Sequence, residues 1–568
     1  MSDTTRKFML WMTTLSMLAL VLGACVPVAA PTAAPPAPTA TEVPAPTKAA
    51  PPPAAPKDVT ITFFEEPDSL NFMYTQMWFA DLAMALINRG LWVYDDNNAI
   101  VPELAEEMPS VENGGIAPDN KTITIHLRQG ITWHDGEPVT AHDVVFTWKA
   151  IMDDRNTPLS RYPYEDYVES VEATDDYTVV IHLKEPFAGW WTMFDYILPE
   201  HLLGSLETLD EAEYNRAPVG FGPFKFVEWV SGDHITLERY DGYWRGKPKL
   251  DHIYIRIVPS AEAQMAAIEA GDTDVGVFMS YSDAPTIEKL PNVEMVAVNS
   301  GYKETWFFNL DPETGHPALQ DVLVRRAIAM AVDRQQITEK LLLGLTTPPV
   351  TYWDGTAFAN PDIKPYPYDP EQAKKLLDEA GWVDSDGDGV RDKDGVKLSL
   401  RHTTTAGRQI REDSQLVVQQ MLAEVGIETV IQNAAYDIIW NGYADGGPIA
   451  TGQYDIAQWS DRSAPDPGDE AYYWLCDEIP SDENPSGGNW YGVCIDELDE
   501  LLKKQATTVD PAARQALFNR IQEIMHDQVI LLPMWNDPDL WAVNTRIKDM
   551  HLGGWTPFWN AHEWDVAE

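Results

Sequence analysis

Among side chains able to do chemistry, the densest run is Asp384-Ser385-Asp386-Gly387-Asp388-Gly389-Val390-Arg391-Asp392. It sets carboxylates at loop positions 1, 3, 5 and 9, glycine at 6 and the Val390 carbonyl at 7, the oxygen spacing that calcium prefers. Position 12 is Gly395 instead of a bidentate Glu, and Asp394 falls one residue early, so the cage is incomplete. The two readings are a structural calcium loop and an exposed acidic turn. His134-Asp135 has the composition of an acid-base pair, but Asp135-Gly136 is also a tight-turn signal, which accounts for it without catalysis. Neither a Gly-x-Ser-x-Gly elbow nor a His-Glu-x-x-His zinc site occurs. A carboxylate pair of the glycosidase kind is the enzymatic alternative left open.

At the N-terminus, Arg6 and Lys7 precede an apolar run from Phe8 to Leu22 and the small pair Gly23-Ala24 before Cys25. Leu22-Gly23-Ala24-Cys25 resembles the lipobox of bacterial lipoproteins. The resemblance implies a signal peptide over 1–24, lipid on Cys25, and a protein held outside the cytoplasm at a membrane, in the periplasm or on the cell surface. The apolar run is too short for a span. Residues 25–57 are nearly all Pro, Ala, Thr and Val and read as a disordered, extended tether. With Cys25 given to lipid, Cys476 and Cys494 are expected to pair in a compartment where disulfides persist. Closing the 17 residues between them is worth roughly 3 kcal/mol in the chain-entropy model. A metal or catalytic thiol is the rival reading.

The remaining body, about 510 residues, is long enough for several domains. A formal charge of −49 repels nucleic acid and excludes a nucleic-acid role. Val59–Phe64 and Lys121–Leu127 alternate as strands, and residues 77–88 read as a buried helix ended near Gly90. Thr140 and Asp143 have capping-box spacing. A strand from Ile253, a helix opened by Ser260 and ended by Gly271, and a strand from Val275 form a βαβ unit. One helix is expected over 317–333, and one strand over 531–543 returning to an earlier sheet. The class is α/β throughout.

Several segments in order resemble the bacterial extracellular solute-binding proteins of family 5, the peptide and nickel class of ABC importers. They are Pro102–Glu106, Ile125–Pro138, Thr140–Val144, Gly220-Phe221-Gly222-Pro223-Phe224, Val324–Arg334 and Tyr368-Asp369-Pro370 to Ala380-Gly381-Trp382. The resemblance implies a two-lobed periplasmic-binding-protein fold (class II, cluster C type) with an inserted extra domain, closing by a hinge. It places lobe I over 58–98, 216–300 and 531–568, the extra domain over 99–215, and lobe II over 301–530. It implies a monomeric, non-catalytic lipoprotein, needing no cofactor, that captures a di- or oligopeptide and delivers it to a permease. An oligosaccharide on the same scaffold, a secreted glycoside hydrolase and a sensory or adhesive surface protein are the alternatives.

By the same resemblance Trp459 faces the cleft. Peptide-binding members carry, three residues on, an Asp that meets the peptide ammonium; this chain has Arg462 there and Asp461 one residue earlier. Asp461 suits an ammonium, whereas Arg462 suits a carboxylate or an array of sugar hydroxyls. Tyr74, Trp78, Trp306 and Asn309 complete the candidate set, drawn from a chain with 21 Trp and 22 Tyr.

Overall fold

The computed structural model describes residues 56–463 and 466–567; the signal segment, Cys25 and the tether through Ala55 lie outside the described residues. Among the described residues no helix is long and apolar enough to cross a membrane.

Two mixed sheets organise the body. The larger has seven strands in the order Val293–Val298, Asp539–Asn544, Val275–Met279, Asp58–Phe63, His252–Ile257, His234–Arg239 and Phe224–Val230. Asp58–Phe63 runs parallel to both neighbours, with Val59, Ile61, Thr62 and Phe63 all buried, as a strand covered on both faces must be. The βαβ unit forms as expected: the Ser260 hydroxyl accepts from Ala263 N at 3.2 Å to start helix Ala261–Ala270, and Gly271 ends it at φ +74°. Helix Trp78–Ile87 is buried almost all round. Gly220 and Gly222 pack on its last turn, where an added Cβ would lie 2.1 and 2.7 Å from Ile87 backbone atoms. Only glycine permits that approach, which explains the Gly-Phe-Gly-Pro motif.

The second sheet has five strands: Glu428–Ile431, Ser399–Thr404, Ile456–Arg462, Tyr302–Phe308 and Leu531–Asn536. The helix expected over 317–333 is broken, because the Asp321 carboxylate accepts from Leu323 N at 2.9 Å and opens a fresh helix, Val322–Ala331, after the turn Pro317–Gln320. The strand expected over 531–543 is also two: Leu531–Asn536 pairs with Tyr302–Phe308, and only Asp539–Asn544 enters the seven-stranded sheet. The sheets are therefore joined by two short crossovers, between Val298 and Tyr302 and between Asn536 and Asp539. These lie side by side, with Asp537 N donating to Tyr302 O at 2.9 Å. Gly301 holds φ +86° in the first crossover, against Trp555 and the Ser463 carbonyl.

A third, antiparallel sheet of Thr122–His126, Thr178–Leu183 and Val168–Asp175 carries helix Ala141–Met152. Asp143 accepts from Thr140 N at 2.8 Å, so the capping box forms. This body touches the five-stranded one where Ala188 N donates to Ala506 O. There the Arg514 guanidinium, 4% exposed, grips the fully buried Asp466 at 2.5 and 2.6 Å.

Candidate functional site

Strand Ile456–Arg462 lies in the middle of the five-stranded sheet and ends beside the crossovers. Successive side chains on a strand face opposite ways, and its last residues divide between two chambers. Trp459 and Asp461 line a cavity of about 380 Å³; Arg462 lines another of about 190 Å³.

Aromatic rings build the larger cavity. Trp459 stacks on Phe307 with centroids 4.2 Å apart and meets the edge of Trp440 at 5.1 Å; Tyr491 stacks on Phe307 at 4.7 Å. Trp490 and Tyr491 come from a loop closed by the Cys476–Cys494 disulfide, so that bond ties down one wall. Asp461 accepts from the Tyr352 hydroxyl at 2.9 Å and from Arg462 N at 3.0 Å. Burial pushes its pKa up. No Lys, Arg or His among the described residues forms an ion pair with it. Lys303, buried below and itself pushed down to about 8 by burial, donates to Gly301 O and the Ser463 hydroxyl instead.

Two guanidinium groups lie in the same cavity. Arg411 is paired with Glu304 at 2.8 Å, and burial pushes the Glu304 carboxyl up to about 7. Arg408, exposed at the start of helix Gln409–Ala423, has no side-chain hydrogen bond or ion pair to any described residue. Among the described residues the cavity thus presents a carboxylate without an ion pair, a guanidinium without an ion pair, and flat aromatic rings in one lining.

The smaller chamber lies toward the seven-stranded body. Arg462 is sandwiched between Trp555 and Trp78 at 3.9 and 4.4 Å, and its Nε donates to Ser300 O at 3.0 Å. Burial lowers its pKa. Its guanidinium is thereby committed to the first crossover and to two rings across it, and does not share the Asp461 cavity. Trp78 stands in this chamber, at the start of its helix.

Three candidates belong elsewhere. Trp306 is fully buried, with Nε1 donating to Gln458 at 3.0 Å; strand alternation turns it into the core under the sheet. Asn309 is fully buried and donates to Gly452 O and Tyr454 O, closing a turn. Tyr74 packs on the three-stranded body, its pKa raised by burial and by Asp210. In the acidic loop, Asp384 accepts from Gly387 N and Gly389 N, while the Lys397 ammonium lies 2.8 Å from both Asp386 and Asp388. Asp392 accepts from Ser385. The three clustered carboxylates, Asp384, Asp386 and Asp388, are exposed and satisfied by the protein's own donors, so the cluster gives no support for calcium, and Val390 gains no ligand role. His134 is held between Gly222 O and Gly220 N, and burial pushes it down to about 4; Asp135 meets His201 at 2.7 Å. Both are scaffold residues. Trp440, Trp490, Tyr491 and Arg408 were missed because they lie in loops without periodicity; the Trp490-Tyr491 pair beside Cys494 was the available signal.

Two sheet-cored lobes, a double crossover and a ring-lined cavity are the architecture of a two-lobed binding protein. The model of the bacterial extracellular solute-binding proteins, family 5, matches residues 99–481, and the chain belongs to that family. It is 30% identical over 494 residues to the oligopeptide-binding protein AppA of Bacillus subtilis, covering 83% of this chain and 84% of AppA. The heme-binding protein A of Haemophilus influenzae is 28% identical, with 79% and 81% covered. Among solved structures, the ABC transporter substrate-binding protein CtaP of Listeria monocytogenes superposes with a TM-score of 0.75 at 26% identity, over 90% of this chain and 99% of CtaP. AppA of Bacillus subtilis in complex with a nonapeptide gives 0.62 at 26%, over 90% and 100%. The protein is a binding protein and not an enzyme.

Proposed function

We propose that this protein captures a short peptide with free termini between its lobes and hands it to an ABC permease, held near the membrane by lipid on Cys25. The observation that carries the reading is Asp461, a half-buried carboxylate with no cationic partner, opening into the same ring-lined cavity as the unpaired Arg408. A charge taken out of water needs a counter-charge; the peptide ammonium supplies one at Asp461, and the peptide carboxylate forms a bidentate pair with Arg408. The names of the relatives, oligopeptide-binding among them, support the class. A neutral oligosaccharide would leave the Asp461 charge without a counter-charge and is the weaker reading.

Calorimetric titration with dipeptides and tripeptides, free or capped at either end, tests it. Capping either terminus should weaken binding about tenfold or more, as the loss of one charge-assisted pair does. Asp461→Asn should abolish the dependence on the ammonium, and Arg408→Ala the dependence on the carboxylate. Equal affinity for free and capped peptides would refute the assignment.

A further inference from the structure

The smaller chamber contains more than Arg462. Asp81 and Asp195 both line it, with Arg89, Trp92 and Tyr94. Asp81 accepts from the Tyr196 hydroxyl at 2.6 Å and lies within the fields of Arg462 and Arg89. Asp195 has neither: no described residue donates a hydrogen bond to its carboxylate or pairs with it, and its one charged neighbour of note is Asp81, a like charge. Protein surrounds it densely, yet the side chain is accessible, because it faces open space on two sides. It lines the 190 Å³ chamber and also an adjoining cavity of about 200 Å³ with Phe72, Gln76 and Thr192. Burial, then Asp81, pushes it up to about 7. Two donors in the chamber wall also lack partners: Arg89 Nε and Trp92 Nε1, on side chains 1% and 2% exposed. A natural interior rarely leaves such groups unanswered.

We infer that this chamber is a second recognition subsite, which takes a basic side chain of the solute, its amine or guanidinium on Asp195 and a neighbouring amide carbonyl on Arg89 Nε and Trp92 Nε1. A cation there relieves the Asp81–Asp195 repulsion and gives the accessible Asp195 carboxylate the counter-charge that no described residue supplies. Trp78, Trp92 and Tyr94 offer rings along which the alkyl stem and charged head can lie. The two orphaned donors in the same chamber wall favour a solute that brings an acceptor as well as a cation, which a peptide unit provides and a free metal ion or simple amine does not. The inference rests on the solute-binding reading only for the bearer of the basic group.

The test uses N-acetyl-arginine amide and its neutral isostere N-acetyl-citrulline amide, neither of which has a terminus for Asp461 or Arg408. Both are titrated at pH 8, where Asp195 is ionised, into the intact protein and into Asp195→Asn and Asp461→Asn, with circular dichroism confirming folding. The arginine compound should bind the unaltered protein about tenfold or more tightly than the citrulline compound. Asp195→Asn should bring the ratio to about one, and Asp461→Asn should leave it unchanged. No discrimination by the unaltered protein, or discrimination that survives Asp195→Asn, overturns the inference. Discrimination lost in Asp461→Asn instead places the guanidinium in the larger cavity and overturns it too. Failure of free dipeptides to bind, with the arginine preference intact, would refute the peptide-terminus reading alone.

Discussion

Arg514→Met should cost far more stability than any exposed ion pair in this protein. Its guanidinium donates twice to Asp466 and twice to the Gln505 carbonyl oxygen, at 2.8 and 3.2 Å, in a fully enclosed setting. Removal leaves the fully buried Asp466 carboxylate with one remaining donor among the described residues, Gly468 N at 2.7 Å, and strands the equally buried Gln505. An uncompensated buried charge costs about 3–5 kcal/mol, and most of that is the stranded partner, not the lost attraction. Hence Arg514→Met with Asp466→Asn should be more stable than Arg514→Met alone, with a coupling of about 2 kcal/mol or more. Denaturant unfolding followed by tryptophan fluorescence, run as a double-mutant cycle, measures both quantities. A single-variant loss below about 1 kcal/mol, or strictly additive effects, would show that water reaches the pair and that the burial argument fails.

Chelator and millimolar calcium should give superimposable melting curves, because the Lys397 ammonium already occupies the space between Asp386 and Asp388; a calcium-dependent rise in Tm would reverse that assignment. Intact mass spectrometry of the membrane fraction should show a diacylglyceryl adduct at Cys25, and Cys25→Ser should release the protein into the soluble fraction; an unmodified, membrane-bound Cys25 would remove the lipid tether.

Helix caps and the βαβ unit were legible because their signals are local: Ser260, Gly271 and the Thr140–Asp143 pair act within a few residues of themselves. Family position drew attention to Asp461, which the structure places on a cavity wall, but did not show that Arg462 lines a different chamber. Alternation says that neighbours on a strand face opposite ways, yet which face meets the cleft depends on what packs against the sheet. Trp306 fell on the covered face by that rule, and a sequence reading had no means of choosing. The break in 531–543 did have a local mark, since Pro538 lies between Asp537 and Asp539 and proline is rarely tolerated inside a central strand. Asp195 and Trp555 join Trp78 from separations of more than 100 and 400 residues, contacts that only the assembled fold creates.

The split strand also sets the order in which this chain can become whole. Leu531–Asn536 completes the five-stranded sheet, and Asp539–Asn544 fits between Val275–Met279 and Val293–Val298, leaving the latter without a partner until it arrives. Both sheets therefore depend on the one short stretch 531–544; without it Tyr302–Phe308 becomes an edge of one sheet and Val293–Val298 is detached from the other. The two lobes are thus completed by consecutive strands of one segment, which ties the closing of one sheet to that of the other.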